Sequence, residues 1–176
     1  MKWTTYESPL GPLTLIGSTA GLRNVHFPGR APGLAESDRD PAALAEAATE
    51  LDQYFAGQRQ TFELELDLEG TTFQKRVWSA LQSLPYGETT AYGEFADKLK
   101  VERSGYFSGA RKIAWAIGAT PTPIVVPCHR VIGADGSLTG YLGGLPRKRA
   151  LLRFEATGRL IDARWDSPQP QQLALL

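Results

Sequence analysis

The 176-residue chain has one cysteine, one methionine and two histidines. A single cysteine, Cys128, excludes an internal disulfide and any multi-cysteine zinc site, so no metal is expected. No apolar run approaches the ~20 residues that a membrane helix needs. The opening Met1-Lys2-Trp3-Thr4-Thr5 lacks the apolar stretch of a secretory signal. Net charge is also missing, because 19 Lys and Arg offset 19 Asp and Glu. What is present is 42% hydrophobic and 22% charged residues, which suits a globular chain with a real core rather than a disordered one. The length fits one ordinary domain, or a small domain joined to a second. These features lead to the expectation of a cytoplasmic protein that does not associate with membranes.

The zero net charge hides an asymmetry. Residues 1–70 carry an excess of six acidic side chains, and residues 71–160 an excess of seven basic ones. Polyanion binding depends on local positive potential rather than on the total, so the second half keeps nucleic acid open as a partner.

The first part reads as β-rich. Leu13–Gly17 and Arg23–Phe27, joined at Ala20-Gly21-Leu22, predict a hairpin. Pro28 to Pro41 reads as a loop. Pro41 suits the first position of a helix in which Leu44, Ala47, Ala48, Leu51 and Phe55 recur at helical spacing, with Gly57 ending it. Thr61 to Leu68 alternates Phe62, Leu64, Leu66 and Leu68 with polar residues and predicts a strand with one wet face. A boundary is expected near Glu69-Gly70-Thr71, dividing the chain into 1–70 and 71–176. The second part reads as helical. Phe73, Val77, Leu81 and Leu84 form a stripe, and Thr90 is a candidate cap for a helix carrying Tyr92, Phe95, Ala96 and Leu99. Ser108-Gly109-Ala110 opens another helix. There Ala110, Ile113, Ala114 and Ile117 are expected on one face, and Arg111, Trp115 and Gly118 on another. Two short helices in succession outline a helix-turn-helix, although the connection Lys100–Phe107 is longer than usual. The Pro- and Gln-rich tail from about Ser167 reads as flexible.

The richest segment is Pro121-Thr122-Pro123-Ile124-Val125-Val126-Pro127-Cys128-His129-Arg130-Val131. Its prolines stiffen the chain and give the cysteine a fixed direction. A buried structural thiol is the commonest role of a lone cysteine. A chemical role needs a base, because a thiol of pKa ~8.5 is only a few per cent thiolate at neutral pH. His129 is adjacent, but neighbouring side chains on an extended backbone point apart. A bridging water is then the natural relay. The imidazole needs an acceptor on its other nitrogen. Glu155 is the candidate, on a helix predicted over Pro146–Ala156 with Leu151, Leu152 and Phe154 buried. The alternative for Glu155 is a solvated helix residue.

Pro127-Cys128-His129-Arg130-Val131 resembles the signature of the O6-alkylguanine-DNA alkyltransferases. Ser8-Pro9-Leu10-Gly11, Gly87-Glu88-Thr89-Thr90-Ala91-Tyr92, Arg111, Tyr141-Leu142-Gly143-Gly144-Leu145, Lys148 and Glu155 follow in that family's order, over about residues 5–160. The resemblance implies an α/β N-terminal part of RNase H-like type and a mostly α-helical C-terminal part with a helix-turn-helix. It implies direct-reversal DNA repair, in which Cys128 irreversibly takes the alkyl group from O6 of guanine, once per molecule. O4-alkylated thymine is a further substrate that it leaves open. His129 would accept the thiol proton through water, with Glu155 orienting it. Arg111 would fill the space left by a flipped nucleotide, and Tyr92 would crowd the 3′ phosphate. Backbone groups of Cys128 and Val131 would read the guanine edge. Tyr141 and Pro123 would wall the pocket, and Leu142 would contribute a backbone N–H. The implied partner is double-stranded DNA, bound through the minor groove by a monomer without a cofactor.

This sequence departs from the family at four places, one of them Leu142, which replaces a small polar residue seen in some relatives. Thr120 stands where the family has a hinge asparagine. Ala114 and Trp115 stand where it often has glycine. The Lys100–Phe107 connection is about five residues longer. Two other functions fit parts of the chain. A lesion-binding protein that flips damaged guanine without transfer would lack the cysteine, which is present. A Cys-His hydrolase would leave Arg111 and Tyr92 without a role.

Overall fold

The computed structural model describes residues 1–102 and 108–160. Part of the Lys100–Phe107 connection and the tail from Ser167 therefore lie outside the described residues.

Three strands, β1 (Lys2–Ser8), β2 (Gly11–Ser18) and β3 (Gly21–His26), form an antiparallel meander in the order β1-β2-β3. The expected hairpin is β2–β3, and β1 adds a strand before it. Its inward positions are Thr4 and Tyr6, opposite Leu15 and Leu13. A polar inward residue weakens the alternation by which a strand is recognised in sequence. The expected helix start at Pro41 resolves into a 3-10 turn, Ala42–Leu44, followed by α1 (Ala45–Phe55). Gly57, at φ 73°, follows the end of α1. The inner face of α1 covers the sheet, and the Tyr6 hydroxyl donates to Asp52 Oδ1 at 2.8 Å.

The segment Thr61–Leu68 is not a strand. Its alternation survives in burial, with Phe62, Leu64 and Leu66 half-buried against the core. Only Leu66 makes a ladder contact, a parallel bridge to Leu22. The flanking bonds run from Leu22 N to Glu65 O and from Asp67 N to Leu22 O. The apolar period is real, but the chain docks on the edge of β3 through a single residue.

The second part begins with α2 (Thr72–Leu81), started by a capping box in which the Thr71 hydroxyl and the Gln74 side chain satisfy each other's backbone N–H. A two-residue strand β4 (Thr90–Ala91) pairs in parallel with β5 (Val131–Ile132). Ala91, not Thr90, is the cap of α3 (Tyr92–Lys98), and its N–H donates to Glu94 at 3.2 Å. Then come α4 (Gly109–Gly118), capped by Ser108, and α5 (Leu145–Thr157), which ends at left-handed Gly158. The buried face of α4 is Ile113, Ala116 and Ile117; Ala114, expected with them, is exposed, as are Arg111 and Trp115. The Trp78 indole N–H bonds the Ala116 carbonyl at 2.9 Å and ties α2 to α4.

Two cores result. One joins the sheet and α1 with Ile124, Val125, Ala150, Leu151 and Phe154; the other joins α2, α3 and α4 with Val126, Cys128 and Val131. Helix α5, late in the chain, thus packs on the first core. Among the described residues no helix is long and apolar enough to cross a membrane.

The helix pair α3–α4 closes at Gly109, where any Cβ would collide with the Val101 carbonyl oxygen and crowd Ala96. Gly109→Ala is expected to lower stability by about 1–3 kcal/mol, the usual cost of overpacking. Gly93→Ala, in open space on α3, should be neutral or stabilising by up to about 1 kcal/mol. Urea unfolding of the two variants checks this pair of outcomes.

Candidate active site

The proline-framed segment is a turn rather than an extended run. Val126 N bonds Thr122 O at 2.9 Å, and Ile124 between them sits at φ 77°, a left-handed conformation costly for a β-branched residue. Ile124 and Val125 are held in the first core while Val126 and Cys128 are held in the second. Cys128–Arg130 then forms a 3-10 turn. The extended backbone expected at Cys128-His129 is therefore replaced by a turning one. Both side chains are buried.

Glu155 is the centre of the polar network behind the cysteine. Its carboxylate accepts from the His129 ring at Nε2 (2.8 Å), from Arg130 Nε and Nη2 (both 2.9 Å), from the Tyr54 hydroxyl (2.8 Å) and from Gly87 N (3.1 Å). Burial by itself would raise its pKa, but the bonds and charges of His129 and Arg130 outweigh this and hold the carboxyl well below the usual range. Burial lowers the His129 pKa, and only part of that is offset by Glu155. The imidazole is thus neutral at pH 7. With Nε2–H donated to Glu155, the lone pair lies on Nδ1, which is buried and has no hydrogen-bond partner. This is the form of histidine that can accept a proton.

The thiol is not pre-ionised. Burial pushes Cys128 from 9.0 up to about 11, against hydrogen bonding from Thr120 and the positive charge of Lys148. At pH 7 the resting group is therefore a thiol rather than a thiolate. The buried Lys148 ammonium bonds the carbonyls of Val131 (2.7 Å) and Thr139 (3.1 Å), joining β5 to the loop before α5. The Thr120 hydroxyl donates to Ile117 O at 2.8 Å, closing the end of α4.

Cys128 lines a cavity of about 360 Å³ together with Tyr92, Tyr141 and Leu142. Arg30, Ala114, Ile117, Gly118, Thr139 and Gly140 complete it. The volume is that of a small-ligand site. The Tyr141 hydroxyl is buried there without a hydrogen-bond partner, and its ring packs edge-on to Phe27. Tyr92 Oη donates weakly to Thr139 O at 3.4 Å. Pro123 and Val131 are buried and are not among the side chains that line this cavity. Pro123 is taken up in the turn, bridged to Val126, and Val131 lies in β5. Arg111 lies exposed on α4 and lines a separate groove with Trp115.

Three contributors escape sequence reasoning: Tyr54, Gly87 and Arg130. Tyr54 is 101 residues from Glu155, and nothing local marks the pairing. Arg130 stands in the Pro-Cys-His-Arg motif, but nothing in the sequence marks that its guanidinium is buried, bonded to Glu155 and to Leu84 O at 2.6 Å.

Two family models match the chain: the ribonuclease-like domain of 6-O-methylguanine DNA methyltransferase over residues 1–68, and the DNA binding domain of the same family over residues 72–157. The methylated-DNA–protein-cysteine methyltransferase of Mycobacterium tuberculosis (strain ATCC 25618 / H37Rv) is 48% identical over 157 residues, covering 88% of this chain and 92% of that protein. The protein of that name from Methanosarcina acetivorans is 41% identical over 160 residues, covering 89% and 99%. Among solved structures, Mycobacterium tuberculosis OGT in complex with DNA superposes with a TM-score of 0.81 at 45% identity, covering 92% of this chain and 97% of that one.

Three ionisations set a pH window for stability. The folded state keeps His129 neutral, so the unfolded chain gains a proton that it cannot, and stability falls below the ordinary value of 6.5. Glu155 adds a loss as pH falls below 4.5, because its depressed pKa favours folding only while the unfolded carboxyl is also ionised. Cys128 acts at the other end: the unfolded thiol ionises above 9.0 and the folded one near 11, so stability falls as pH rises through that interval. Urea midpoints should therefore peak between about pH 6.5 and 9. Cys128→Ser should flatten the early alkaline fall. A maximum near pH 5 would contradict the assignment.

Proposed function

The chain belongs to the 6-O-methylguanine DNA methyltransferase family, and from that premise we infer that it repairs DNA by direct reversal, with Cys128 as the acceptor of the alkyl group. The observation that carries the assignment is that the chain's one cysteine lines a small-ligand cavity backed by a neutral histidine and a buried carboxylate. No cofactor enters this chemistry.

In the reaction, Sγ of Cys128 attacks the carbon bonded to O6. An S–C bond forms and the C–O6 bond breaks, leaving its electron pair on guanine. The thiol proton passes, by way of a bridging water, to Nδ1 of His129. Tyr92 supplies a proton donor at the base, and overall the proton lost by sulfur ends on guanine. Support for proton removal during attack comes from the resting thiol: with a pKa of about 11 it cannot rely on a pre-formed thiolate. Glu155 holds the imidazole in the accepting tautomer and stabilises the imidazolium as it forms. The resulting thioether has no ready leaving group, so each molecule acts once.

The substrate base reaches this cavity only if it leaves the helix, which costs a few kcal/mol. Arg111, on the exposed face of α4, fills the vacated stack in this proposal. Tyr141 and Leu142 wall the base, and the buried, unpartnered Tyr141 hydroxyl is a polar group that a bound base would satisfy. Thr120 is the hinge between α4 and the 121–128 turn. The protein binds duplex DNA through the minor groove and works as a monomer in the cytoplasm.

Intact-mass spectrometry after mixing with O6-methylguanine duplex tests the reading. One methyl group per chain, located on Cys128, is the expected outcome. Cys128→Ser should acquire none and still bind the duplex, because the basic face of α4 is untouched. An unmodified wild-type protein that binds lesion DNA would indicate a sensor without transfer. Product released in many equivalents per chain would indicate a hydrolase.

A further inference from the structure

Trp115 is 61% exposed, a large apolar side chain left on the surface. It sits on α4 four residues after Arg111, and both line a groove of about 690 Å³ with Phe73, Arg76, Lys100 and Lys112. Glu102 is the acidic residue in that lining, against four basic ones. The groove lies apart from the Cys128 cavity, although α4 contributes to both: Ala114, Ile117 and Gly118 face the cavity, and Arg111 and Trp115 the groove. An aromatic plane set among several cations, beside an element that enters DNA, is the composition by which nucleic acid is held through stacking and phosphate contact rather than through base readout.

We propose that this groove takes the DNA strand next to the lesion, with the Trp115 indole packed against a deoxyribose or exposed base edge and Arg76, Lys100 and Lys112 near its phosphates. The inference rests on the reading of this protein as a DNA-binding alkyltransferase. Four residues of helix rise about 6 Å, and a duplex rises 3.4 Å per base step. With α4 lying along the groove, Trp115 would fall one to two steps from the point where Arg111 enters. It would act there as a second wedge, holding the backbone while the nucleotide is out. Lys112 and Arg76 are already tied to this wall, Lys112 Nζ by a bond to Glu102 O at 2.7 Å and Arg76 by a bond to Leu99 O, so their charges are positioned before DNA arrives.

The test compares wild-type protein with Trp115→Ala and Trp115→Phe on an O6-methylguanine duplex and on free O6-benzylguanine. Trp115→Ala should bind the duplex about 5- to 20-fold more weakly, within the range that stacking on an aromatic supplies. Its ratio of duplex rate to free-base rate should fall in parallel. Trp115→Phe should recover most of both. Wild-type tryptophan fluorescence should change on duplex binding, and that change should be missing in Trp115→Phe. Unchanged affinity in Trp115→Ala would overturn the proposal. Tighter binding would also overturn it, showing the indole to be an obstacle. So would a loss of self-association, by sedimentation, with DNA binding intact, because the groove would then hold a second copy of the chain. Failure of the functional reading is separable: wild-type protein would neither bind the duplex nor gain a methyl group.

Discussion

The buried carboxylate of Glu155 is the interaction on which the rest of the structure depends. It accepts hydrogen bonds from α1 through Tyr54, from the turn at Gly87, and from His129 and Arg130 beside the cysteine. Taking a carboxylate and a guanidinium out of water is costly, and the cost is offset only when the geometry is good and the remaining lone pairs are filled. Both conditions are met here. Breaking such a pair leaves one buried charge unmatched, typically at a loss of about 3–5 kcal/mol. The bonds that orient the imidazole are therefore also bonds that hold the two halves of the chain together. Fold and chemistry share one group.

The reactive segment has the same double attachment. Ile124 and Val125 are anchored in the sheet core, and Val126 and Cys128 in the helical core, with a strained left-handed residue at the crossing. Strain of about 1–3 kcal/mol survives only where the surroundings over-determine the backbone. Burial on both sides supplies that constraint and fixes the thiol relative to the cavity. The same burial raises the thiol pKa, so rigidity comes with a nucleophile that must lose its proton during attack.

Much of this was readable in the sequence, and the exceptions have physical causes. The helix expected over Pro146–Ala156 is found at Leu145–Thr157, because Gly144 and Pro146 at one end and Gly158 at the other are strong stops. The pairing of His129 with Glu155 behind the buried Cys128 is legible from chemistry and from a specific motif. Tyr54 and Gly87 are not, because their role depends on contacts between residues far apart in the chain. The Thr61–Leu68 alternation recorded burial correctly but not hydrogen bonding, which period alone does not determine. The turn at Cys128 replaced an extended backbone because the left-handed Ile124 reverses the chain just before it, a conformation that a β-branched residue does not advertise. Ala114 shares the cavity wall with Ile117 but is exposed rather than buried, a distinction that a small side chain does not signal.

The central claim is that burial keeps His129 neutral while Glu155 holds its proton on Nε2, leaving the lone pair on Nδ1. Imidazole nitrogen NMR as a function of pH measures this directly, in a His26→Gln background that leaves one histidine. The account predicts a neutral ring protonated at Nε2 at pH 7, remaining neutral below 6.5. An imidazolium at pH 7, or a ring protonated at Nδ1, would contradict it.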